Sequence, residues 1–356
     1  MSAAGPRVLF LTAGEEDYLG DALMHGLRTL LGPGLVDVPR RDPMYNDYPA
    51  DRRSQLYGRG FTLYGLLDEI QVEREGAIDA ARDGAWDLVV FADVWRTPKL
   101  IADLLPYLKR AGAPYVFIDG FDSPAVFGHG PHWWMKRVRG QLPPGRLPRI
   151  HAAGPYMKRE ITPGTWFWSH HMLAPPPLHR VLPLRGVEPI AFAIPGEKIV
   201  DSPPAKDKLL GAHIVDQEVA HHVDGAGAAY LFDREDAYYA DLQRSRFAIT
   251  TKRAGWDCMR HYEIAANGAV PCFRRLGSKP ELCAPHGLGT GNCLVYRDWA
   301  DLQRQLEAVT DDDYGRLQRG ALEWARENTT TRRAEALLER MGLREPAAAP
   351  LGQTRP

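Results

Sequence analysis

A chain of 356 residues with 44 Lys and Arg against 45 Asp and Glu has a formal net charge of −1, so no global basic field gathers nucleic acid or an anionic membrane. That length exceeds what one hydrophobic core usually serves and points to two domains of roughly 150 to 180 residues each. The four cysteines, Cys258, Cys272, Cys283 and Cys293, lack a CxxC pair or a zinc-like His spacing, and no apolar run has the length of a signal-sequence core or a membrane span; a cytoplasmic protein with free thiols is expected.

The chain opens as a β-loop-α unit. Residues 7–12 (RVLFLT) read as a buried strand, the polar loop 13–17 follows, and Leu19, Leu23, Leu27, Leu30 and Leu31 space a helix that Gly32-Pro33-Gly34 closes. A second strand over 35–39 begins the alternation of a parallel sheet with crossover helices. Ligands of such sheets bind beyond the carboxyl ends of the strands, which places Glu15, Glu16 and Asp17 to face a site, although neighbouring carboxylates also fit a solvated first helix turn. Residues 42–61 carry no clean period and suit a substrate loop, with Arg59 either reaching a ligand or lying on an exposed turn.

The spacing predicts a helix over 62–82, a buried strand over 86–91, a helix over 100–111 and another buried strand over 114–118. Asp119 and Asp122 emerge where that strand ends, followed closely by His129 and His132; each can bind ligand hydroxyls or act as a base, and each also fits a capped turn or a surface loop. The tryptophans between 133 and 168 supply stacking surfaces for a ligand or fill interfaces. Residues 182–195 and the Ser202-Pro203-Pro204 run mark the link between an N-terminal domain, 1–195, and a C-terminal domain, 196–345, with a disordered tail over 346–356.

In the second domain a strand is expected over 209–215, then the run Val219-Ala220-His221-His222-Val223-Asp224, which suits a metal less well than a surface loop. A helix over 237–244 delivers Ser245 to a strand through Thr251, and Lys252-Arg253-Ala254-Gly255 breaks it as a positively charged loop. From Trp256 the spacing turns helical, with Asp257 as N-cap and Gly268 past the end, before a strand over 269–273. A helix beginning beside a glycine loop attracts phosphate oxygens, and Glu263 on that helix is placed to accept hydrogen bonds from a ribose. Beyond it come a strand over 294–296 and helices over 299–309, 311–328 and 329–341.

These residues resemble a family. Ser245, Gly255-Trp256-Asp257, Arg260, Tyr262-Glu263, Ala265-Ala266, Gly268 and Pro271 are similar to the motif of GT-B glycosyltransferases, within them the bacterial exostosin-like and spore-maturation-like group. The likeness continues through Asn292 to Tyr296, Asp298, Glu323-Trp324 and Thr329-Thr330, more weakly through Tyr156 to Glu160, and only loosely over the N-terminal third. It implies an α/β fold of two Rossmann-like domains facing a cleft, with a terminal helix crossing back to the first. It implies a transferase that moves a sugar from a nucleoside-diphosphate sugar to a small soluble acceptor in natural-product or saccharide biosynthesis.

On that reading Lys252, Arg253, Gly255, Trp256, Asp257, Arg260, Tyr262 and Glu263 bind the nucleotide, and the base comes from Asp119, Asp122, His129, His132 or Glu16; Glu15 and Asp17 beside Glu16 are candidates too, because inverting members of the family often take the base from the N-terminal half. Neither a metal ion nor a cofactor beyond the nucleotide sugar is expected, because the cations and the helix start supply the charge; nucleic acid is not expected as a partner, and a homodimer remains compatible. The position eight residues before Glu263 is Gly255, where many retaining enzymes of the family carry a second glutamate, so retention is not implied. The same architecture also serves sugar-nucleotide epimerases and proteins that bind a nucleotide sugar without turnover.

Overall fold

The structure, a computed structural model, describes residues 5–128, 131–140, 150–169, 182–184, 186–223, 225–227 and 231–345. Val8–Leu11 (β1) is buried along its whole length, as expected of a parallel strand covered by helices on both faces. It is followed by Tyr18–Leu31 (α1), Leu35–Val38 (β2), Ala50–Arg53 (α2), Ala77–Arg82 (α3), Leu88–Phe91 (β3) and Pro98–Ala111 (α4). Tyr115–Asp119 (β4), Pro131–Val138 (α5), Tyr156–Lys158 (β5), Pro163–Ser169 (α6) and Glu188–Pro189 (β6) complete the first layer. Its strands pair in parallel in the order β2-β1-β3-β4-β5-β6. The strand order reverses between β1 and β3, the switch point at which an open parallel sheet forms its ligand crevice.

The second layer comprises Lys208–Leu210 (β7), Gln217–Ala220 (α7), Glu235–Arg244 (α8), Ser245–Thr250 (β8), Met259–Ala266 (α9), Val270–Arg274 (β9) and Leu294–Tyr296 (β10). Its sheet is again parallel, in the order β10-β9-β8-β7. Trp299–Ala308 (α10), Asp311–Glu327 (α11) and Thr330–Arg340 (α12) follow. The last of these crosses back onto the first layer and packs along α1. His25 on α1 hydrogen-bonds Thr330 Oγ1 at 2.9 Å, and a Cβ added to Gly26 would lie 1.9 Å from the Thr330 carbonyl oxygen. One apolar cluster therefore runs from Leu23 and Leu27 on α1 through Tyr262 and Ala265 on α9 to Leu337 and Leu338 on α12.

Three expectations are corrected. The helix expected over 62–82 forms only as Ala77–Arg82, because Thr62, Gly65 and Gly76 take positive φ values of 73°, 74° and 70° and the Thr62 backbone N–H donates to Glu235 in the second layer. Tertiary hydrogen bonds there outweigh local helix propensity. The strand expected over 209–215 shortens to Lys208–Leu210. Asp257 does not cap α9; the cap residue is Cys258, and the Asp257 carboxylate instead accepts from Phe192 N at 2.7 Å and Tyr262 OH at 2.9 Å. Within the His-rich run, the His222 ring stacks on Trp299 at 5.1 Å, and no group of three or more metal-ligating side chains occurs among the described residues. The segment 346–356 lies outside the described residues.

Gly26→Ala is expected to lower thermal stability by about 1 to 3 kcal/mol, the usual range for overpacking a tight contact. Differential scanning calorimetry checks this, and an unchanged Tm would mean that the α1–α12 crossing yields easily.

Candidate functional site

A cavity of about 790 Å³ lies between the carboxyl ends of the two sheets, and both layers line it. Its second-layer wall is the loop after β8 and the start of α9. Gly255 belongs there for a steric reason: a Cβ would sit 2.4 Å from Glu160 Oε1, so any other residue would push the loop off the first layer. Arg253 lines the cavity, is exposed, and has no side-chain partner among the described residues. Arg260, on the first turn of α9, also lines it; its Nη2 lies 2.7 Å from His213 Nε2, while its buried Nε lacks a hydrogen-bond partner among the described residues. Cys258 contributes no side-chain acceptor to the helix start. The wall therefore combines the positive end of a helix dipole with two guanidinium groups, an arrangement suited to an anion.

Glu263 lines the same wall one turn further on. Its carboxylate accepts from Thr62 Oγ1 at 2.5 Å and from Tyr238 OH at 3.1 Å, and burial raises its pKa above the ordinary glutamate value. Thr62 belongs to the first layer, so Glu263 is a contact between the two halves as well as a cavity residue. Of the remaining residues expected to bind nucleotide, Asp257 touches the cavity, while Lys252 sits over the Trp256 ring at 5.3 Å and does not line it. Trp256 stacks on Phe273, and Tyr262 is buried against Trp324 with ring centroids 4.8 Å apart; both support the wall from behind.

The opposite wall is acidic and is built at the switch point. Glu16 and Asp17 follow β1, and Asp93 follows β3. Asp17 caps α1 by accepting from Leu19 N at 3.2 Å and is wedged so closely that Cβ atoms on Gly20 and Gly120 would come within 2.7 and 3.1 Å of its oxygens. Burial, followed by the neighbouring Asp93 and Asp21 carboxylates, pushes the Asp17 pKa up to about 8, against the opposing pull of Arg96. Asp93 is raised as well, chiefly by burial. Glu16 lines the cavity half-buried, and Glu15 is exposed and paired with Arg96 at 3.0 Å.

The expected candidates at the end of β4 separate. Asp119 is fully buried and off the cavity, its oxygens taken by Trp95 Nε1 and Phe121 N at 2.9 Å, Lys158 Nζ at 3.1 Å and the Tyr156 hydroxyl. A carboxylate so occupied anchors the strand end and does not meet a ligand. Asp122 does reach the cavity, where it pairs with Arg159. His129 lies outside the described residues, and His132 falls on α5, where its side chain is not described. The carboxylate that sequence reasoning passed over is at β3: Phe91-Ala92-Asp93 places an acid just past a buried strand, the same signal that drew attention to Asp119.

The two walls are joined by Arg159 and Glu160, which follow β5. Arg159 donates to the Gly120 carbonyl at 3.1 Å, to the Asp257 carbonyl at 2.8 Å and to Glu160 at 3.0 Å, with its guanidinium 4.5 Å above the Phe192 ring. Glu160 in turn accepts from Asp257 N at 3.0 Å.

No protein-family model and no curated protein matches this chain. Among solved structures, Alr3699/HepE from Anabaena superposes on 95% of the chain and 99% of its own, with a TM-score of 0.52 and 9% identity in its complex with UDP-glucose, and 0.51 and 10% in its complex with UDP and glucose. CalG4, the calicheamicin glycosyltransferase, covers 96% of the chain and 100% of its own at 13% identity, but with a TM-score of only 0.37. At such identities the likeness to HepE is one of architecture, and it accords with the sheets and the cleft: the fold is GT-B, two Rossmann-like domains with a ligand cleft between them and a terminal helix returning to the first.

Proposed function

We propose that the protein is a metal-independent glycosyltransferase that moves a sugar from a nucleoside-diphosphate sugar to an acceptor hydroxyl. The observation that carries this reading is the polarity of the cavity, with the uncapped helix start, Arg253 and Arg260 on one wall and the Asp17–Asp93 pair on the other. The diphosphate lies against the cationic wall, and Glu263 receives ribose hydroxyls in place of the Thr62 hydroxyl. Asp17, ionised, takes the proton from the acceptor hydroxyl. As that oxygen bonds to the anomeric carbon, the carbon–phosphate oxygen bond breaks and its electron pair passes to the diphosphate, whose growing charge the guanidinium groups meet. A general base works best when its pKa lies near the working pH, which is where burial and Asp93 hold Asp17. The UDP-glucose and UDP held by HepE support a uridine nucleotide as the first donor to test. The exostosin-like motif around Gly255 and Glu263 supports the same class of donor.

Glu263→Ala is expected to weaken nucleoside diphosphate binding by about 1.5 to 3 kcal/mol, the worth of a charge-assisted hydrogen bond, and to leave pyrophosphate binding nearly unchanged. Isothermal titration with both ligands decides it, and equal losses would remove Glu263 from the ribose site.

Asp17→Asn is expected to reduce transfer by roughly two to four orders of magnitude while nucleotide affinity holds. Stability should move the other way. Because the folded pKa of about 8 lies above the ordinary 3.8, the stabilising contribution of Asp17 is complete below that lower value and is lost as pH rises through 8. The neutral asparagine variant should therefore match the parent in acid and melt above it in mild alkali. Full transfer activity in Asp17→Asn would move the base to Glu16 or Asp122.

Transfer should persist in EDTA, since Arg253, Arg260 and the α9 start supply the charge that would otherwise fall to a divalent ion. Abolition by chelator with rescue by Mg²⁺ or Mn²⁺ overturns this. Donor hydrolysis without acceptor separates a transferase from a protein that only binds the nucleotide sugar.

A further inference from the structure

Aromatic rings gather around the acidic end of the cleft. Tyr18 follows Asp17, Trp95 stands two residues past Asp93, and Phe121 follows Gly120, at which a Cβ would lie 3.1 Å from Asp17 Oδ1. All three rings line the cavity, and they come from three separate loops, after β1, β3 and β4. The Trp95 and Phe121 centroids are 5.0 Å apart, while Tyr57 and Phe192, which also line the cavity, pack on Tyr18 at 5.6 and 6.2 Å. Tyr57 is 68% exposed, so this apolar lining reaches solvent.

The polar edges of these rings are engaged within the protein. Trp95 Nε1 donates to Asp119 at 2.9 Å and the Tyr18 hydroxyl donates to the Tyr57 carbonyl at 2.8 Å, so ring carbon is the larger part of what each offers a ligand. Most charged groups beside them are engaged as well. Arg96 is divided among Glu15, Asp93 and the Glu16 carbonyl, Asp122 pairs with Arg159, and Lys136 gives one proton to the Trp95 carbonyl at 2.9 Å. A saccharide acceptor presents a hydroxyl on nearly every carbon, and most of these would meet carbon or groups already bonded, losing their bonds to water. A planar ring with one reacting hydroxyl needs only the Asp17 carboxyl group and leaves the rest of its surface to the aromatic side chains.

We infer that the acceptor is an aryl hydroxyl compound, a phenol or naphthol by chemical class, held with its ring among Tyr18, Trp95 and Phe121 and its hydroxyl on Asp17. This rests on the sugar-transfer reading and narrows its acceptor to one class. The aryl oxygen gives its proton to the Asp17 carboxylate and bonds to the anomeric carbon, while the bond from that carbon to the donor's phosphate oxygen breaks and its electron pair leaves on the diphosphate. Proton affinities favour this class over a saccharide. A phenolic hydroxyl ionises at about 10, as in tyrosine, and an aliphatic hydroxyl nearer to water's value of about 15.7, so the phenol stands closer to Asp17, raised to about 8.

Isothermal titration of the full chain in the presence of UDP tests this with 2-naphthol, its ring-saturated analogue decahydro-2-naphthol, and methyl glucoside. Naphthol is expected to bind about three- to tenfold more tightly than the saturated alcohol, the worth of a ring-on-ring contact, and methyl glucoside more weakly than either. Phe121→Ala and Tyr57→Ala are each expected to weaken naphthol binding by about the same factor. Tyr57 is exposed, so its truncation spares the fold, and an unchanged melting curve verifies that. Equal affinity for the saturated alcohol, tighter binding of methyl glucoside, no binding of naphthol, or naphthol binding indifferent to both substitutions overturns the proposal. Transfer is then followed with 2-naphthol or methyl glucoside as acceptor and UDP-glucose, UDP-galactose, UDP-N-acetylglucosamine or dTDP-glucose as donor, with naphthyl glycoside as the expected product. Naphthol bound at these residues with no glycoside formed from either acceptor removes the transferase reading, and the acceptor with it, while the ring-binding site stands. Transfer to methyl glucoside and not to naphthol keeps the transferase reading and overturns the aryl acceptor.

Discussion

Arg159 is the group on which the geometry of the cleft depends. A guanidinium cannot be left without partners in a buried setting, and this one reaches the loop after β4 through the Gly120 carbonyl and the second layer through the Asp257 carbonyl. Glu160 neutralises it and receives the Asp257 amide, so two adjacent residues of one layer hold the backbone that precedes α9. Gly255 allows this because it has no Cβ to meet Glu160. The start of α9, and with it Arg253 and Arg260, is thereby fixed at a defined distance from the switch point of the first sheet.

The two walls then divide the electrostatic work. On the second layer the uncapped start of α9, Arg253 and Arg260 gather positive charge at the cavity, with the Glu263 carboxylate one turn further on held by Thr62 and Tyr238. On the first layer burial disfavours ionisation of both Asp17 and Asp93, and the Asp93 carboxylate adds to the effect at Asp17. A carboxyl group whose pKa is raised to about 8 can exchange a proton near neutral pH, whereas Asp119, surrounded by donors, is suited to holding a strand end in place. Asp17, after β1, and Asp119, at the end of β4, thus differ through their surroundings: burial and neighbouring carboxylates for the first, hydrogen-bond donors for the second.

The halves are not independent bodies joined by a tether. The apolar cluster that links α1, α9 and α12 is continuous, and the Thr62–Glu263 hydrogen bond adds a polar contact beside the cavity. Any movement of Glu263 is therefore coupled to the first-layer segment that carries Thr62, whose positive φ shows that the tertiary contact, and not local preference, sets its backbone.

The sequence by itself determined the alternation of strands and helices, because fully buried parallel strands such as VLFL and LVVF are continuous apolar runs and the helices between them carry a clear spacing. It also marked the loop from Lys252 to Gly255 and the position of Glu263, since a glycine between a strand and a helix is a local signal. Tertiary structure alone decided which carboxylates face the cleft: Asp17, Asp93 and Asp119 all follow buried strands, and only strand order and the donors around each group tell them apart. It likewise decided that residues 62–76 are not helical and that Asp257 supports the domain junction instead of capping α9. Each of these outcomes rests on partners distant in the chain, which no local pattern contains.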